Sequence, residues 1–447
     1  MLKNIFYLTM FMAVVLLLLA KPMVPRTLAS PSAVTFTVDS TLDLIDDNTA
    51  DGVCTPGSCS LRAAIMQANH LSGPGMTTII VPAGTYTLTR PKSGANGEDN
   101  GDLNLTAPLN PDQSIVINGA GAASTIIDAN QIDGVMSIAA NRTASISGLT
   151  IRHGYRLSDV GGGILNKGKL TITDCAIEGN RTDYDGGGIA SGGPENPATL
   201  DVVRCTIRSN VASGFGGGLG MAGPTTIRDS TIYNNAANFG GGIFNVYRLY
   251  VVNSTISQNT ADTDGGGIFN YFMLAEDATV ALYNTSVIGN DADHDHDQTG
   301  GIGGGVYNYA GFGSRFIVVN SLIAGNTIMN TPIYDDCNGT LEVYGWNLFG
   351  EVTGCTFSGN GTASRGFISL NTIGPLQDNG GPTWTQALLA GSEAIDTTLD
   401  VLGCVDETGA QLTTDQRGAS RPVGARCDVG AFEYRPLRYL YLPLVLR

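Results

Sequence analysis

The chain has 447 residues, of which 60 are glycine and only 14% are charged, whereas globular proteins average about 7% glycine and about 25% charged residues. Its 24 basic and 40 acidic residues give a formal net charge of −16, which would repel a nucleic-acid backbone and excludes nucleic acid as a partner. The hydrophobic share of 42% is too high for a disordered chain. The composition therefore indicates an ordered, glycine-rich and acidic protein.

The N-terminus has the pattern of a secretory signal. Lys3 precedes an apolar run over 5–20, and small or turn residues follow up to Ala29, which predicts a signal peptide at 1–29. A membrane anchor is the alternative, but the run has 16 residues and a bilayer needs about 20. No other run is long enough, so the mature chain is predicted to lack a transmembrane segment. The predicted location is extracellular, secreted or at the cell surface.

Export would place the eight cysteines in an oxidising compartment, where those within reach of each other form disulfides. Six of them fall into pairs that are close in sequence. The predicted pairs are Cys54 with Cys59, Cys337 with Cys355, and Cys404 with Cys427.

Two motifs recur through the middle of the chain. A glycine triplet followed by an aliphatic residue begins at Gly161, Gly186, Gly216, Gly240, Gly265 and Gly303. An aliphatic residue is followed three positions later by asparagine at Asn180, Asn210, Asn235, Asn259, Asn290 and Asn326. The triplets are 24 to 38 residues apart, and this period is typical of a solenoid.

The spacing of apolar residues within each unit decides the kind of solenoid. They fall two apart on either side of a polar corner such as Asp174 or Asn253, which is strand spacing interrupted by a bend. Glycine triplets and β-branched residues work against a helical solenoid. The sequence therefore predicts an all-β, right-handed parallel β-helix over 131–370. The recurrent asparagine is predicted to be a left-handed corner residue whose side chain hydrogen-bonds along the stack.

Most repeats have a small residue two positions before their last aliphatic residue. Alternation predicts that these small residues point inward and form a column. Cys175 and Cys205 occupy this column in neighbouring coils, about 4.8 Å apart. They could form a disulfide or remain buried thiols, and the sequence leaves both open.

The segment before the repeats predicts a short capping helix. Ser60 is a suitable N-cap, and the apolar residues that follow it fall on one helical face. A helix is the expected cover for the open end of a β-helix. The motif CSLRAAIMQAN closely resembles the CSLREA domain, with Ala63 in place of glutamate, and 77–89 resembles the first coil of pectate-lyase-like β-helices. The cap and first coils are predicted over 34–130.

Further resemblances cover most of the remaining chain. The repeats resemble those of chlamydial polymorphic outer-membrane proteins, with glycine for alanine and isoleucine or valine for phenylalanine. The segments 374–396, 415–422 and 427–433 closely resemble the choice-of-anchor Q domain, which implies an exported protein with this domain at 371–434. The apolar tail at 435–447 is either a short sorting tail or a final strand or cap.

Candidate metal ligands occur in the insert DADHDHD. Asp293, Asp295 and Asp297 carry the oxygen ligands that Ca²⁺ prefers. His294 and His296, which alternate with them, would instead favour Zn²⁺ or another transition metal. The alternative is an acidic, solvated loop tip. No other cofactor is predicted.

The sequence does not identify catalytic residues. Acidic residues precede three glycine triplets, with Asp183 and Asp185 in one repeat, Asp262 and Asp264 in another, and Asp159 in an earlier one. Two coils would separate the two pairs by about 10 Å, which is marginal for opposed glycosidase carboxylates. A polysaccharide lyase would also need a basic residue nearby, and Lys167 and Lys169 are the only lysines in the repeats.

An aromatic column is the candidate ligand-binding site. Phe244, Phe269 and Tyr307 follow the aliphatic residue of three successive repeats, and alternation places them on the outer face. Such rings could bind sugar faces or pack on each other. The sequence thus predicts a cell-surface protein for display, adhesion or glycan contact, whose partner is an extracellular polysaccharide or another cell surface. The alternative is a polysaccharide lyase or glycoside hydrolase acting along the β-helix groove.

Overall fold

The computed structural model describes residues 33–49, 51–55, 57–94, 97–192, 198–272, 278–295, 301–309, 313–329, 333–359, 365–398 and 403–436. The predicted signal peptide at 1–29 and most of the predicted tail at 435–447 lie outside these residues. The predicted fold, an all-β right-handed parallel β-helix, is confirmed. No helix in the described part of the chain has the length and apolar character needed to cross a membrane.

Each full coil of the repeat region contributes one strand to each of four stacks. One coil contains Ile164–Asn166, Lys169–Thr173, Ala176–Glu178 and Arg181–Thr182. Equivalent strands of successive coils pair in parallel and in register. We call the four stacks the first, second, third and fourth sheets, in the order in which each coil visits them. Stacking is required because a single coil cannot bury its apolar side alone.

The strand bounds of the sheets are as follows. The first sheet contains Leu103–Leu105, Met136–Ile138, Ile164–Asn166, Ile189–Gly192, Leu219–Ala222, Ile243–Asn245, Ile268–Asn270 and Val306–Asn308. The second sheet contains Val34–Thr37, Gly75–Val81, Gln113–Gly119, Thr143–Ser147, Lys169–Thr173, Thr199–Val203, Thr225–Arg228, Arg248–Val252, Thr279–Tyr283, Arg315–Val319 and Cys355–Gly359. Cys337–Tyr344 pairs with strands of both sheets and joins them.

The other two sheets have shorter strands. The third sheet contains Gly84–Thr87, Thr125–Asp128, Thr150–Arg152, Ala176–Glu178, Thr206–Arg208, Thr231–Tyr233, Thr255–Ser257, Ser286–Ile288, Leu322–Ala324, Asn347–Phe349 and Arg365–Phe367. The fourth sheet contains Tyr155–Arg156, Arg181–Thr182, Val211–Ala212, Ala236–Ala237, Thr260–Ala261, Asp291–Ala292, Thr327–Ile328 and the antiparallel Ile333–Tyr334.

The predicted polar bend lies between the second and third sheets. The residue at this corner has a left-handed backbone in each repeat, with φ between 47° and 53°. Asparagine and aspartate tolerate this conformation better than other non-glycine residues. The corner residues are Asp174, Arg204, Asp229, Asn253, Asn284 and Asn320.

The prediction for the recurrent asparagine is half right. The left-handed residue is the one before it, such as Ser209 with φ 55° or Gln258 with φ 56°, because the asparagine side chain turns into the core instead. There Asn210 Nδ2 donates to Asn235 Oδ1 at 2.9 Å and to the carbonyl of Ile177 at 2.9 Å. The predicted hydrogen-bonded asparagine ladder is thus confirmed, and each amide replaces the water that buried backbone groups would otherwise require.

The glycine triplets allow the coils to approach closely between the fourth and first sheets. The first glycine of each triplet is left-handed, as at Gly216 with φ 70°. A Cβ on the second glycine would meet backbone of the next coil, as at Gly187, where it would lie 2.5 Å from the carbonyl oxygen of Gly217. No other residue type fits this position without displacing the neighbouring coil.

The predicted capping helix is present at Leu61–His70. The hydroxyl of Ser60 accepts a hydrogen bond from the Ala63 N–H at 3.1 Å, which is an N-cap contact. The apolar face packs into the β-helix core. The buried Arg62 guanidinium pairs with Asp43 at 2.6 Å and ties the helix to the preceding loop.

The C-terminal residues after the last coil pack along the outside of the third sheet. A 3-10 turn at Leu370–Thr372 leads into an antiparallel pair, Ile373–Gln377 and Thr385–Leu388. A second apolar core forms where this region, which includes Val429 and Phe432, meets the third sheet. We call residues 369–434 the C-terminal region.

All three predicted disulfides are confirmed. The Cα–Cα distances are 5.1 Å for Cys54–Cys59, 5.5 Å for Cys337–Cys355 and 5.9 Å for Cys404–Cys427. Cys175 and Cys205 are buried free thiols, and the N–H of Cys175 donates to the sulfur of Cys205 at 3.4 Å. The thiol alternative therefore holds for this pair.

Candidate functional site

The outer face of the first sheet carries the predicted aromatic column. Strand register places nine residues along it, one per coil. The early coils contribute polar or aliphatic residues, the middle coils small ones and the next three coils aromatic ones, and the last coil contributes an asparagine. In order they are Asn104, Ser137, Leu165, Ala190, Gly220, Phe244, Phe269, Tyr307 and Asn338.

The aromatic end of this face is a continuous cluster of seven rings, which we call the aromatic surface. Phe269 and Tyr307 stack with centroids 4.9 Å apart and planes 3° apart, and Tyr271 and Tyr309 continue the cluster at 5.0 Å. These distances are within the range of favourable ring contacts. The seven rings are Phe215, Phe239, Phe244, Phe269, Tyr271, Tyr307 and Tyr309.

The prediction that the column is exposed is wrong for two of its three members. Phe244 is 7% exposed and Phe269 is 4% exposed, although both point outward. The rings of Phe215 and Tyr271, which come from the segments flanking the strands, cover them. Tyr307 is half-buried. Tyr309, at 42% exposure, is therefore the most accessible ring of the surface, and Phe215, Phe239 and Tyr271 are half-buried like Tyr307.

The predicted acidic corner borders the aromatic surface. Asp185 accepts a hydrogen bond from the N–H of Phe215 at 2.9 Å, and Asp264 accepts one from the N–H of Ile302 at 3.2 Å. Burial raises the pKa of both carboxyls. Burial, with help from Asp264, also raises the pKa of Tyr307. Each carboxylate thus accepts a hydrogen bond from the backbone just before the glycine triplet of the next coil.

The other members of the acidic corner differ in surroundings. Asp183 accepts from the hydroxyl of Tyr155 at 3.3 Å and lies 3.8 Å from Arg181. Both contacts tie Asp183 to the fourth sheet, and the contact with Arg181 is a surface ion pair. Asp262 follows the fourth-sheet strand Thr260–Ala261.

The predicted calcium ligands are only partly within the described residues. Asp293 is buried at 2% exposure, Asp295 is exposed, and Asp297 lies outside the described residues. Across the residues that the structure describes, no three His, Cys, Asp or Glu side chains are grouped as a metal site would require. The Ca²⁺ site stays a prediction.

A polar cavity of about 290 Å³ lies at the N-terminal end of the same face. Its lining includes Ser137, Lys167, Glu98 and Asp159. Beneath it the buried Arg156 forms an ion pair with Asp102 and donates to the Ser137 hydroxyl at 2.8 Å. The sequence identified Lys167 only as a scarce lysine. The sequence gives no signal that Lys167 shares a cavity with two carboxylates, because Glu98 belongs to no repeat motif, although Asp159 is one of the acidic residues that precede a glycine triplet.

The comparisons with known proteins support the fold. No known family model matches the chain, and no curated protein matches it. The crystal structure of pectate lyase Pel9A is similar with a TM-score of 0.54 and 13% sequence identity, over 91% of this chain and 97% of that one. The PL6 family alginate lyase AlyGC has a TM-score of 0.28 and 12% identity, over 89% of this chain and 59% of that one. At these identities the similarity to Pel9A shows the parallel β-helix, and the similarity to AlyGC is too weak to use.

Proposed function

We propose that this chain is an exported β-helix protein that contacts an extracellular polysaccharide or another cell surface through the outer face of the first sheet, in display or adhesion. The aromatic surface is the observation that carries this proposal. Ring faces and edges bind sugar faces without needing charge, and Tyr309 presents such a ring to solvent.

The shape of the face favours a long ligand. Six coil steps separate Ser137 in the polar cavity from Tyr307 on the aromatic surface, or about 29 Å at about 4.8 Å per step. The residues between them include Ala190 and Gly220, which are small and do not protrude from this part of the face. A chain of sugars lying along the axis could therefore reach both ends, whereas a small molecule could reach only one.

Three lines support export and surface attachment. The three disulfides suit an oxidising compartment, and the sequence begins with the pattern of a signal peptide. The resemblances to the CSLREA and choice-of-anchor Q domains imply the same destination. The apolar tail at 435–447 would then be the sorting segment.

The test replaces the accessible tyrosines and leaves the buried phenylalanines intact. Tyr307→Ala combined with Tyr309→Ala should weaken binding on a glycan array at least tenfold. The thermal midpoint should also fall, because three ring contacts are lost, so binding is measured well below the midpoint. Tyr184→Ala is the matched control, because Tyr184 is 51% exposed and lies outside the aromatic surface. Equal binding by the double variant and the parent, or no glycan binding by the parent, would refute the proposal.

A polysaccharide lyase or glycoside hydrolase is the second candidate, and the polar cavity is the observation that favours it. Lys167 could act as a base there and Glu98 or Asp159 as an acid. Ca²⁺ could neutralise an acidic substrate. The parent should be incubated with polygalacturonate, alginate and neutral polysaccharides, with Ca²⁺ or with a chelator. Unsaturated products or new reducing ends that disappear in Lys167→Met but persist in Lys169→Met would establish catalysis.

A further inference from the structure

A second groove lies on a different face, over the N-terminal half of the third sheet. It has a volume of about 340 Å³. Its floor consists of the small side chains of Thr150, Ala176 and Thr206, which occupy one register position in three successive coils. The groove therefore follows the axis of the β-helix and is about three coils long.

An aromatic wall closes the groove at one end. Trp384 of the C-terminal region stacks on Tyr233 of the third sheet, with centroids 5.5 Å apart and planes 16° apart. Trp384 is nevertheless 42% exposed. Its carbonyl accepts hydrogen bonds from Thr231 Oγ1 at 2.5 Å and from Gln416 Nε2 at 3.0 Å. The wall is thus fixed in place before any ligand arrives.

One long side of the groove is a column of charged residues that neutralise each other. Glu178 accepts from Arg208 Nε at 2.8 Å, and Arg208 Nη1 donates to the hydroxyl of Tyr233 at 3.2 Å. In the preceding coils of the same column Asp128 pairs with Arg152 at 2.9 Å. The column offers planar hydrogen-bonding groups with no net charge.

We propose that this groove binds a neutral oligosaccharide. An exposed indole at the end, small side chains on the floor and paired planar polar groups at the side suit a ligand with both apolar faces and hydroxyls. An acidic polymer would meet no unpaired cation in the column and would be repelled by a chain of net charge −16. An extended peptide would find no free strand edge, because the floor strands are paired on both sides.

This inference does not depend on the proposed function of the first sheet, because the two sites share no residue. It assigns the C-terminal region a role besides covering the third sheet, since that region supplies Trp384. A protein with both sites would hold glycan on two faces.

The chain has two tryptophans, so Trp346→Phe leaves Trp384 as the only indole reporter. This variant should be titrated with cellohexaose, xylohexaose, mannohexaose and laminarihexaose, and with hexagalacturonate as the acidic comparison. We expect a saturable change in Trp384 emission with at least one neutral hexasaccharide and none with hexagalacturonate.

Calorimetry on variants in the otherwise native chain completes the test. Trp384→Ala should weaken binding at least tenfold, and Ala176→Gln, which fills the floor without removing a contact, should do the same. Tyr184→Ala should bind as the parent does, because Tyr184 is exposed and belongs neither to the groove nor to the aromatic surface. The proposal is overturned if no neutral hexasaccharide binds, if only hexagalacturonate binds, or if Trp384→Ala and Ala176→Gln both leave binding unchanged.

Discussion

The two halves of the third sheet's outer face share one strand register but differ in what lies over them. In the C-terminal half, Thr231, Thr255 and Ser286 are covered by the C-terminal region and bonded to it. In the N-terminal half, Thr206 is half-buried in an open groove. The repeat itself therefore does not decide whether a face is covered or open. The deciding factor is whether the C-terminal region packs over that part of the repeat.

The covered half is held by polar groups that water cannot reach. Gln416 is fully buried and its amide contacts Thr231, Thr255 and Thr383. In the open half the charged side chains bond mainly within their own column. We therefore expect substitutions to be costly in the covered half and nearly neutral in the open half.

The largest loss is expected for Arg421→Met. Arg421 and Glu433 form an ion pair at 2.9 Å in which both side chains are 0% exposed, and Arg421 also donates to Asn253 Oδ1 at 3.1 Å. Removing the cation would leave a buried carboxylate unpaired, at a cost of about 3–5 kcal/mol in the free energy of unfolding. Denaturant titration measures this, with Arg435→Met, at an exposed site just after the C-terminal region, as the control. A loss below about 1 kcal/mol would contradict the prediction.

Gln416→Ala should be the next most costly change. Its side chain accepts from Thr255 Oγ1 at 2.6 Å and donates to Thr231 Oγ1 at 2.8 Å and Thr383 Oγ1 at 2.9 Å. The groups left unpaired would together cost about 2–4 kcal/mol. The exposed Gln377→Ala should have almost no effect in the same denaturation assay. Equal losses in the free energy of unfolding for the two variants would show that the hydrogen bonds of Gln416 do not stabilise the covered half.

A more limited change in the free energy of unfolding is expected for Asp428→Asn, because this side chain affects stability mainly within one range of pH. Burial and the Glu433 carboxylate raise the pKa of Asp428 from 3.8 to about 7. The folded protein therefore keeps a proton that the unfolded chain loses between pH 4 and 7, and the free energy of unfolding falls as the pH rises through this window.

Asp428→Asn should make that fall shallower when denaturation is repeated from pH 4 to 8. Asp112→Asn removes one charge at an exposed site and should leave the slope as it is in the parent. An unchanged slope in Asp428→Asn would mean that this carboxyl is ionised throughout the window.

The smallest effect is expected in the open half, for Arg208→Met. Its ion pair with Glu178 is partly exposed, with side chains 42% and 22% accessible, and such pairs contribute less than about 1 kcal/mol. The loss should shrink further in high salt, which screens the pair. A loss as large as that of Arg421→Met would erase the distinction between the two halves.

The repeat region could be predicted from the sequence because its signals are local and periodic. The corner at Asp174 and its equivalents, the inward column and the asparagine ladder all follow from spacing. The left-handed position was misplaced by one residue, because both members of a pair such as Ser209 and Asn210 are compatible with a corner. Only the packing shows that Asn210 is needed inside.

The functional surfaces were harder to predict because they combine residues without a shared period. Alternation gave the outward direction of Phe244 correctly but could not show that Phe215 and Tyr271 cover it. The groove depends on Trp384 meeting Tyr233, which is 151 residues away in the sequence. No pattern in either segment indicates that contact.

The lengths of the connections in the repeat region point to where such a protein can vary. From residue 143 to 328, each connection from the second to the third sheet has two residues, as at 173–176, and so does each one from the third to the fourth. Connections from the first to the second sheet range from two residues to eight, and those from the fourth to the first range from five to thirteen. Both variable sets flank the first sheet. Insertions can therefore accumulate around the aromatic surface while the rest of each turn keeps its length, so the rim of this face can change shape without disturbing the stack.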